Sequence, residues 1–252
     1  MKKIKFLIAC ALIMNLGMAF SAQAAEITVS AAASLTNAFT EVKDAFEKKN
    51  PGTKVVTNFA ASNPLLKQIE TGAPVDVFAS ADQATMDKAA GQKFIIEKSR
   101  VDFAANSLVL IVPAESKLNL KKAGELAGKD YTRVSIGNPD SVPAGRYARE
   151  VLQHTGLWDK LDGKLIYGES VRQVLDYVMR NEVQAGFVYG TDAKQGGDKV
   201  KVVETMQGKT RVTYPIAVLE RSKAQKEAQA FVDFVVSAEG QAILTKYGFS
   251  KP

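Results

Sequence analysis

The stretch Ile27-Thr28-Val29-Ser30-Ala31-Ala32-Ala33-Ser34-Leu35-Thr36-Asn37-Ala38-Phe39 changes its period in the middle. Ile27 to Ala31 reads as a strand. From Leu35 onward the apolar residues Leu35, Ala38, Phe39, Val42, Ala45 and Phe46 fall on one face of a helix. Between the two lie small side chains and one serine, which leave the amides of a helix start open to approach. Asn50-Pro51-Gly52 stops that helix and Lys54-Val55-Val56-Thr57-Asn58-Phe59 restarts a strand. Leu65, Leu66 and Ile69 then begin a short helix ended by Gly72, Val75 to Ala79 form a third strand, and Asp82 to Ala90 are helical. Strands alternating with helices pair in parallel and are covered on both faces, so the pattern predicts an α/β fold.

A second series follows the long strand Ser107 to Pro113. It runs through Val134-Ser135-Ile136, a helix through Val151-Leu152, Leu165-Ile166-Tyr167, a helix from Val171 to Met179, and Ala185 to Tyr189. Arg211 to Leu219 reads as one more long strand, and two helices around Phe231 and Ile243 close the chain. No internal repeat and no low-complexity linker separates the series. The expectation is therefore two lobes joined by ordered strands, with residues 25–106 plus 216–252 in lobe 1 and residues 107–215 in lobe 2. Each lobe is expected to hold a mixed, mainly parallel sheet.

The 252 residues, 46% hydrophobic and 24% charged, suffice for such a core without disulfide or metal. Lys2, Lys3 and Lys5, the apolar run Phe6 to Phe20 and Ala22-Gln23-Ala24 read as a signal peptide over residues 1–24, cleaved after Ala24. An apolar run of about 15 residues falls short of the ~20 that a membrane span needs. Leu7-Ile8-Ala9-Cys10 looks like a lipoprotein box but lies too early in the run, and is read as coincidence. Loss of the three lysines lowers the net charge from +6 to +3 and removes the only cysteine. A thiol-free, nearly neutral mature chain suits the periplasm and gives no reason to expect nucleic acid or an anionic membrane surface as partner. With one histidine, His154, a Cys/His zinc site and thiol catalysis are excluded.

Four strand-to-helix turns carry the functional signal: Ala31 to Thr36, Ala60-Ala61-Ser62-Asn63-Pro64-Leu65, Asn138 to Gly145, and Glu169-Ser170-Val171-Arg172. The second offers Ser62 or Asn63 as cap, the third is started by proline, and Ser170 reads as the cap of the fourth. In an open α/β sheet such turns lie at the carboxyl edge of the strands, where ligands bind. Each helix start brings free N–H groups and about half a positive charge, so four together supply about +2. That would hold a compact dianion without any arginine. Capping alone explains any single serine; the case rests on four turns in one chain. Arg146 and Arg172 read as solvated helix faces, Asp76 and Asp82 as caps, Trp158 as a packing anchor and His154 as a charge near a helix C-terminus. Met206 and the lysines around 194–201 read as solvated surface.

Ala31 to Ala38, Gly72 to Asp82, Val142 to Ala148, Gly186 to Ala193 and Gly240 to Phe249 are similar, in this order, to the periplasmic molybdate-binding proteins of ABC transporters. The resemblance implies the two-lobed type II periplasmic binding-protein fold, with two crossover strands as a hinge and the oxyanion in the interlobe cleft. It further implies that Ser34 and Ser62 give hydroxyl and backbone N–H donors, Ala144 and Val171 backbone N–H alone, and Tyr189 its phenol. Molybdate or tungstate would be the ligand, with no cofactor, and a membrane permease the partner of a monomeric, non-enzymatic receptor. One departure is Asn63-Pro64 after Ser62, where the family has small or polar residues; Pro64 offers no N–H.

Other readings stay open on the residues themselves. Hydrogenphosphate needs an acceptor for its proton, which Asp140 or Glu169 could supply, while sulfate differs from molybdate only in size. An exported serine hydrolase would have to use His154 as base, and Gly168-Glu169-Ser170-Val171-Arg172 lacks the last glycine of a nucleophile elbow. A glycosidase with two carboxylates is compatible with the 27 acidic residues. A ferric-ion receptor of the same fold would want an adjacent tyrosine pair, and none is found.

Overall fold

The computed structural model describes residues 25–252; the expected signal peptide and its cleavage site lie outside them. In chain order the first half forms β1 (Ala25–Ala32), α1 (Thr36–Lys49), β2 (Thr53–Ala60), α2 (Ser62–Glu70), β3 (Val77–Ala79), α3 (Gln83–Gly91) and β4 (Val101–Asn106). The second half forms β5 (Leu108–Pro113), β6 (Val134–Gly137), α4 (Pro143–His154), β7 (Leu165–Gly168), α5 (Val171–Met179), β8 (Ala185–Tyr189), α6 (Gly190–Gly196) and β9 (Val200–Thr205). The chain returns through β10 (Val212–Val218) to α7 (Gln225–Val236) and α8 (Ala238–Lys246).

These strands make two five-stranded sheets of like design, ordered β2-β1-β3-β10-β4 and β7-β6-β8-β5-β9. In the first, β1 pairs in parallel with β2 and β3, while β10 pairs antiparallel with β3 and β4. In the second, β6 pairs in parallel with β7 and β8, while β5 pairs antiparallel with β8 and β9. Each sheet is thus mixed, with four strands running one way and one reversed. The reversed strands adjoin the two crossings, at Asn106–Ser107 and along residues 206–211, which make the molecule two-lobed.

The cores follow from the apolar faces read above. Phe39 and Phe46 of α1 are buried and meet Phe231 of α7 edge-on, with centroids 6.0 and 5.3 Å apart. The central strand β1 is covered on both sides, so its Ile27, Val29 and Ala31 are fully buried. Asp82 caps α3, accepting from the Thr85 amide at 3.2 Å, and Ser170 caps α5, accepting from Gln173 at 3.2 Å. Trp158 packs half-buried against the core, and Asp76 accepts from the Thr28 amide at 2.7 Å.

Some elements differ from expectation. β4 and β9 escape the sequence reading because they are edge strands: Val200-Lys201-Val202-Val203-Glu204-Thr205 is largely solvent-facing and carries charges. Met206, expected on the surface, is buried, because its amide donates to the Leu108 carbonyl at 2.9 Å and draws the chain against β5. Residues 212–215 pair with β4 in the first sheet as part of the single strand β10, with a register shift between Tyr214 and Pro215.

Candidate functional site

A small cavity lies where the lobes meet. The first lobe contributes Ala32, Ala33, Ser34, Ala61, Ser62 and Ala81; the second contributes Val142, Pro143, Ala144, Val171 and Tyr189. All five residues singled out by sequence, Ser34, Ser62, Ala144, Val171 and Tyr189, therefore line one cavity, and each is buried. Small side chains line it closely, leaving room only for a guest of a few atoms.

Each position follows from local structure. Ser34 is the middle residue of the 3-10 turn Ala33–Leu35 that links β1 to α1. Ser62 and Val171 are the first residues of α2 and α5, and Ala144 the second of α4 after Pro143. First-turn amides have no acceptor within their own helix, so they are free to serve a guest. Gly145 is required at the third of these starts: a Cβ there would collide with the Gly137 carbonyl, holding α4 away from β6. Tyr189 ends β8 and caps α6, and its hydroxyl lies a long 3.5 Å from the Ala81 carbonyl across the lobe boundary.

The serines do not work as helix caps. Ala61 holds the cap position of α2, and the Ser62 Oγ instead accepts from the Ala81 amide at 3.0 Å. Ser34 Oγ lies 3.1 Å from the Tyr214 hydroxyl of β10. Burial holds the Tyr189 and Tyr214 phenols well above their ordinary range, so both remain protonated donors at any working pH. None of the residues lining the cavity is charged. Asp140 and Glu169, the acceptors considered for hydrogenphosphate, are exposed and absent from that lining. Among the described residues no three His, Cys, Asp or Glu side chains gather as a metal site.

The expectation that Arg146 and Arg172 are solvated fails. Both are mostly buried and reach across the boundary. Arg146 donates through Nε and Nη2 to Asp82 Oδ2 at 2.8 and 2.6 Å, and through Nη2 to Thr85 Oγ1 at 2.9 Å. Arg172 lies 2.6 Å from the fully buried Asp192, and donates to Asn37 Oδ1 at 2.7 Å and the Ser34 carbonyl at 3.2 Å. Asn63, after Ser62, spans the boundary too, donating to the Asp140 carbonyl at 2.8 Å while accepting from Thr85 Oγ1 at 2.9 Å. The residue that departs from the family pattern is thus used in joining the lobes. These partners are far apart in sequence, so spacing alone carried no signal for them; a basic residue in the first turn of a cleft-facing helix was the only hint.

Arginine and lysine are therefore kept off the cavity wall, and the two nearby arginines are matched by Asp82 and Asp192. What remains to meet a guest is a set of amide and hydroxyl donors with the positive ends of helices behind them. Such a site suits a small anion that only accepts hydrogen bonds.

Comparison with known proteins agrees with this architecture. The family model described as bacterial extracellular solute-binding protein matches residues 27–250. The molybdate-binding protein ModA of Escherichia coli is 42% identical over 89% of this chain and 89% of its own length. The ModA of Haemophilus influenzae is 36% identical over 99% of both chains. Among solved structures, the Azotobacter vinelandii periplasmic molybdate-binding protein superposes with a TM-score of 0.79 at 25% identity, over 90% of this chain and 99% of that one. The chain belongs to the bacterial extracellular solute-binding proteins and, within them, to the ModA family.

Proposed function

We propose that this protein is a periplasmic receptor for molybdate, and for tungstate, which closes around the oxyanion and delivers it to the permease of an ABC transporter. The observation that carries the reading is the interlobe cavity, in which Ser34, Ser62, Ala144, Val171 and Tyr189 meet with no charged side chain among the lining residues. Ser34 and Ser62 give hydroxyl and amide protons, Ala144 and Val171 amide protons and Tyr189 its phenol. The oxyanion is a ligand to be handed on and not a resident cofactor. Kinship to extracellular solute-binding proteins supports a transport role and not an enzymatic one; export by a cleaved segment over residues 1–24 and a monomeric state complete the reading on the sequence alone.

The mechanism follows from the geometry. A fully deprotonated tetrahedral dianion presents only acceptor oxygens, and each donor here is paired, if at all, through its oxygen or at long range. Donors from each lobe meet the guest together only when the lobes are closed, so binding and closure are one event. Charge-assisted hydrogen bonds of ~1.5–3 kcal/mol each offset the desolvation of the dianion. The Arg146–Asp82 and Arg172–Ser34 contacts lie across the same boundary and favour the closed form. On opening, these groups return to water and the guest is released toward the permease.

A thermal-shift panel of molybdate, tungstate, sulfate, phosphate and citrate tests the reading. Ligand at about 1,000 times its dissociation constant adds ~4 kcal/mol, on the order of 10 °C for a chain of this size. Molybdate and tungstate are expected to give that rise; a rise with phosphate or sulfate alone refutes the assignment.

A further inference from the structure

The hydrogen bonds behind Ser34 have a direction, and the amide of Asn106 sets it. Asn106 ends β4 at the first crossing between lobes. Its Oδ1 accepts from the Ser107 amide at 2.9 Å, so Nδ2 faces the other way and donates to Thr191 Oγ1 at 2.9 Å and to Tyr214 Oη at 3.2 Å. Tyr214 sits on the returning strand β10 and is fully buried. Because its oxygen accepts from Asn106, its own proton has one partner among the described residues, Ser34 Oγ at 3.1 Å. Were Ser34 the donor instead, the phenol proton would be buried without an acceptor, at a cost of about 1–3 kcal/mol.

Ser34 therefore accepts from Tyr214, and its own O–H turns to the cavity. We infer that Tyr214 and Asn106 are positioning residues that commit the Ser34 hydroxyl to donating, so that the site discriminates against anions that present a proton there. Ser62 reaches the same state by another route, since its oxygen accepts from the Ala81 amide. In each serine one lone pair of the oxygen is taken by a partner behind it, Tyr214 or the Ala81 amide, and the proton is left for the cavity. An oxyanion with four bare oxygens satisfies both, whereas a hydrogen-bearing anion that points its proton at Ser34 meets another proton. This inference rests on the oxyanion reading above and adds to it the residues that set the direction of the Ser34 hydroxyl.

The test measures molybdate and hydrogenphosphate affinities by calorimetry at pH 7 for the wild type, Tyr214→Phe, Ser34→Ala and the double variant, with circular dichroism to check the fold. Tyr214→Phe frees the Ser34 hydroxyl to rotate. Molybdate affinity is expected to fall about 3- to 10-fold, with the preference for molybdate over hydrogenphosphate narrowing by a similar factor. In the Ser34→Ala background the same change is expected to cost nothing further, because no hydroxyl is left to orient. A merely structural role for Tyr214 would lower affinity equally in both backgrounds and leave the preference unaltered, which overturns the inference. Asn106→Asp gives an independent arm: an acceptor in place of the amide reverses the relay, and molybdate affinity is expected to fall at least about 10-fold. Unchanged affinity in a folded Asn106→Asp protein overturns the inference even if Tyr214→Phe fails to fold. A wild-type protein that binds no oxyanion removes the underlying reading, and this one with it; normal wild-type binding with unaltered variants removes this one alone.

Discussion

Replacing Arg146 by methionine separates the strength of the closed state from the chemistry of the cavity. Arg146 touches no guest in this account: it closes a bidentate contact on Asp82 Oδ2 at 2.8 and 2.6 Å and a third bond on Thr85 Oγ1 at 2.9 Å, all across the lobe boundary. The side chains are 21% and 6% exposed, so the pair is largely shielded from water. A charged hydrogen bond in such a setting contributes ~1.5–3 kcal/mol. Opening the cleft would part the two groups and remove that contribution, so the loss is expected to fall on closure. Apparent affinity scales with the fraction of molecules able to close, and the variant is expected to bind molybdate roughly 10- to 100-fold more weakly. Most of the change is expected in the off-rate. Stopped-flow and calorimetric titration read this directly, and the thermal midpoint of the ligand-free protein is the control. Unchanged affinity would refute the latch, and a loss matched by an equal drop in ligand-free stability would assign Arg146 to the fold instead.

Other consequences can be checked on the same material. Ser34→Ala and Ser62→Ala each remove one hydroxyl donor, so molybdate affinity is expected to fall roughly 10- to 100-fold by titration; unchanged values in both would mean that other groups hold the guest. Asp192 is raised from 3.8 to about 6, first by burial and against the pull of Arg172. Its contribution to stability is therefore complete below about pH 4 and is lost as pH rises through about 6, by about 3 kcal/mol. Urea titrations from pH 4 to 8 are expected to show this decline in the wild type and not in Asp192→Asn; parallel curves contradict it. Gly145→Ala forces a methyl group onto the Gly137 carbonyl and is expected to lower the melting temperature and weaken binding, because α4 must move. A variant with wild-type melting and binding would show that the start of α4 is not critical.

The turns of the candidate site were legible because they are made of local signals, while the choice of residues within them came from the family resemblance. Small residues before a helical period mark a helix start, Pro143 marks another, and the strand-to-helix order places all of them on one edge. Side-chain roles were less legible. Ser62 looks like a cap and is not one, because a contact with Ala81, brought close only by folding, claims its oxygen. Arg146 and Arg172 look solvated because a helix face is read from its own period, while their partners come from another helix of the same lobe, as Asp192 does, or from the other lobe, as Asp82, Asn37 and Ser34 do. Tyr214 passes as a core residue of an apolar strand, and nothing in its neighbourhood of the chain announces Ser34 or Asn106. The edge strands β4 and β9 were missed since half-exposed strands mix charge with apolar residues. No composition change marks the point where the crossing strand β10 enters the first sheet.

The most direct measurement is a crystal structure of the protein grown with molybdate, with the metal located by its anomalous scattering. The account predicts one metal centre between the lobes, its oxygens within hydrogen-bond reach of Ser34, Ser62, Ala144, Val171 and Tyr189, and Arg146 and Arg172 still engaged with Asp82 and Asp192. Metal density elsewhere, or an oxyanion held by either arginine, would contradict it.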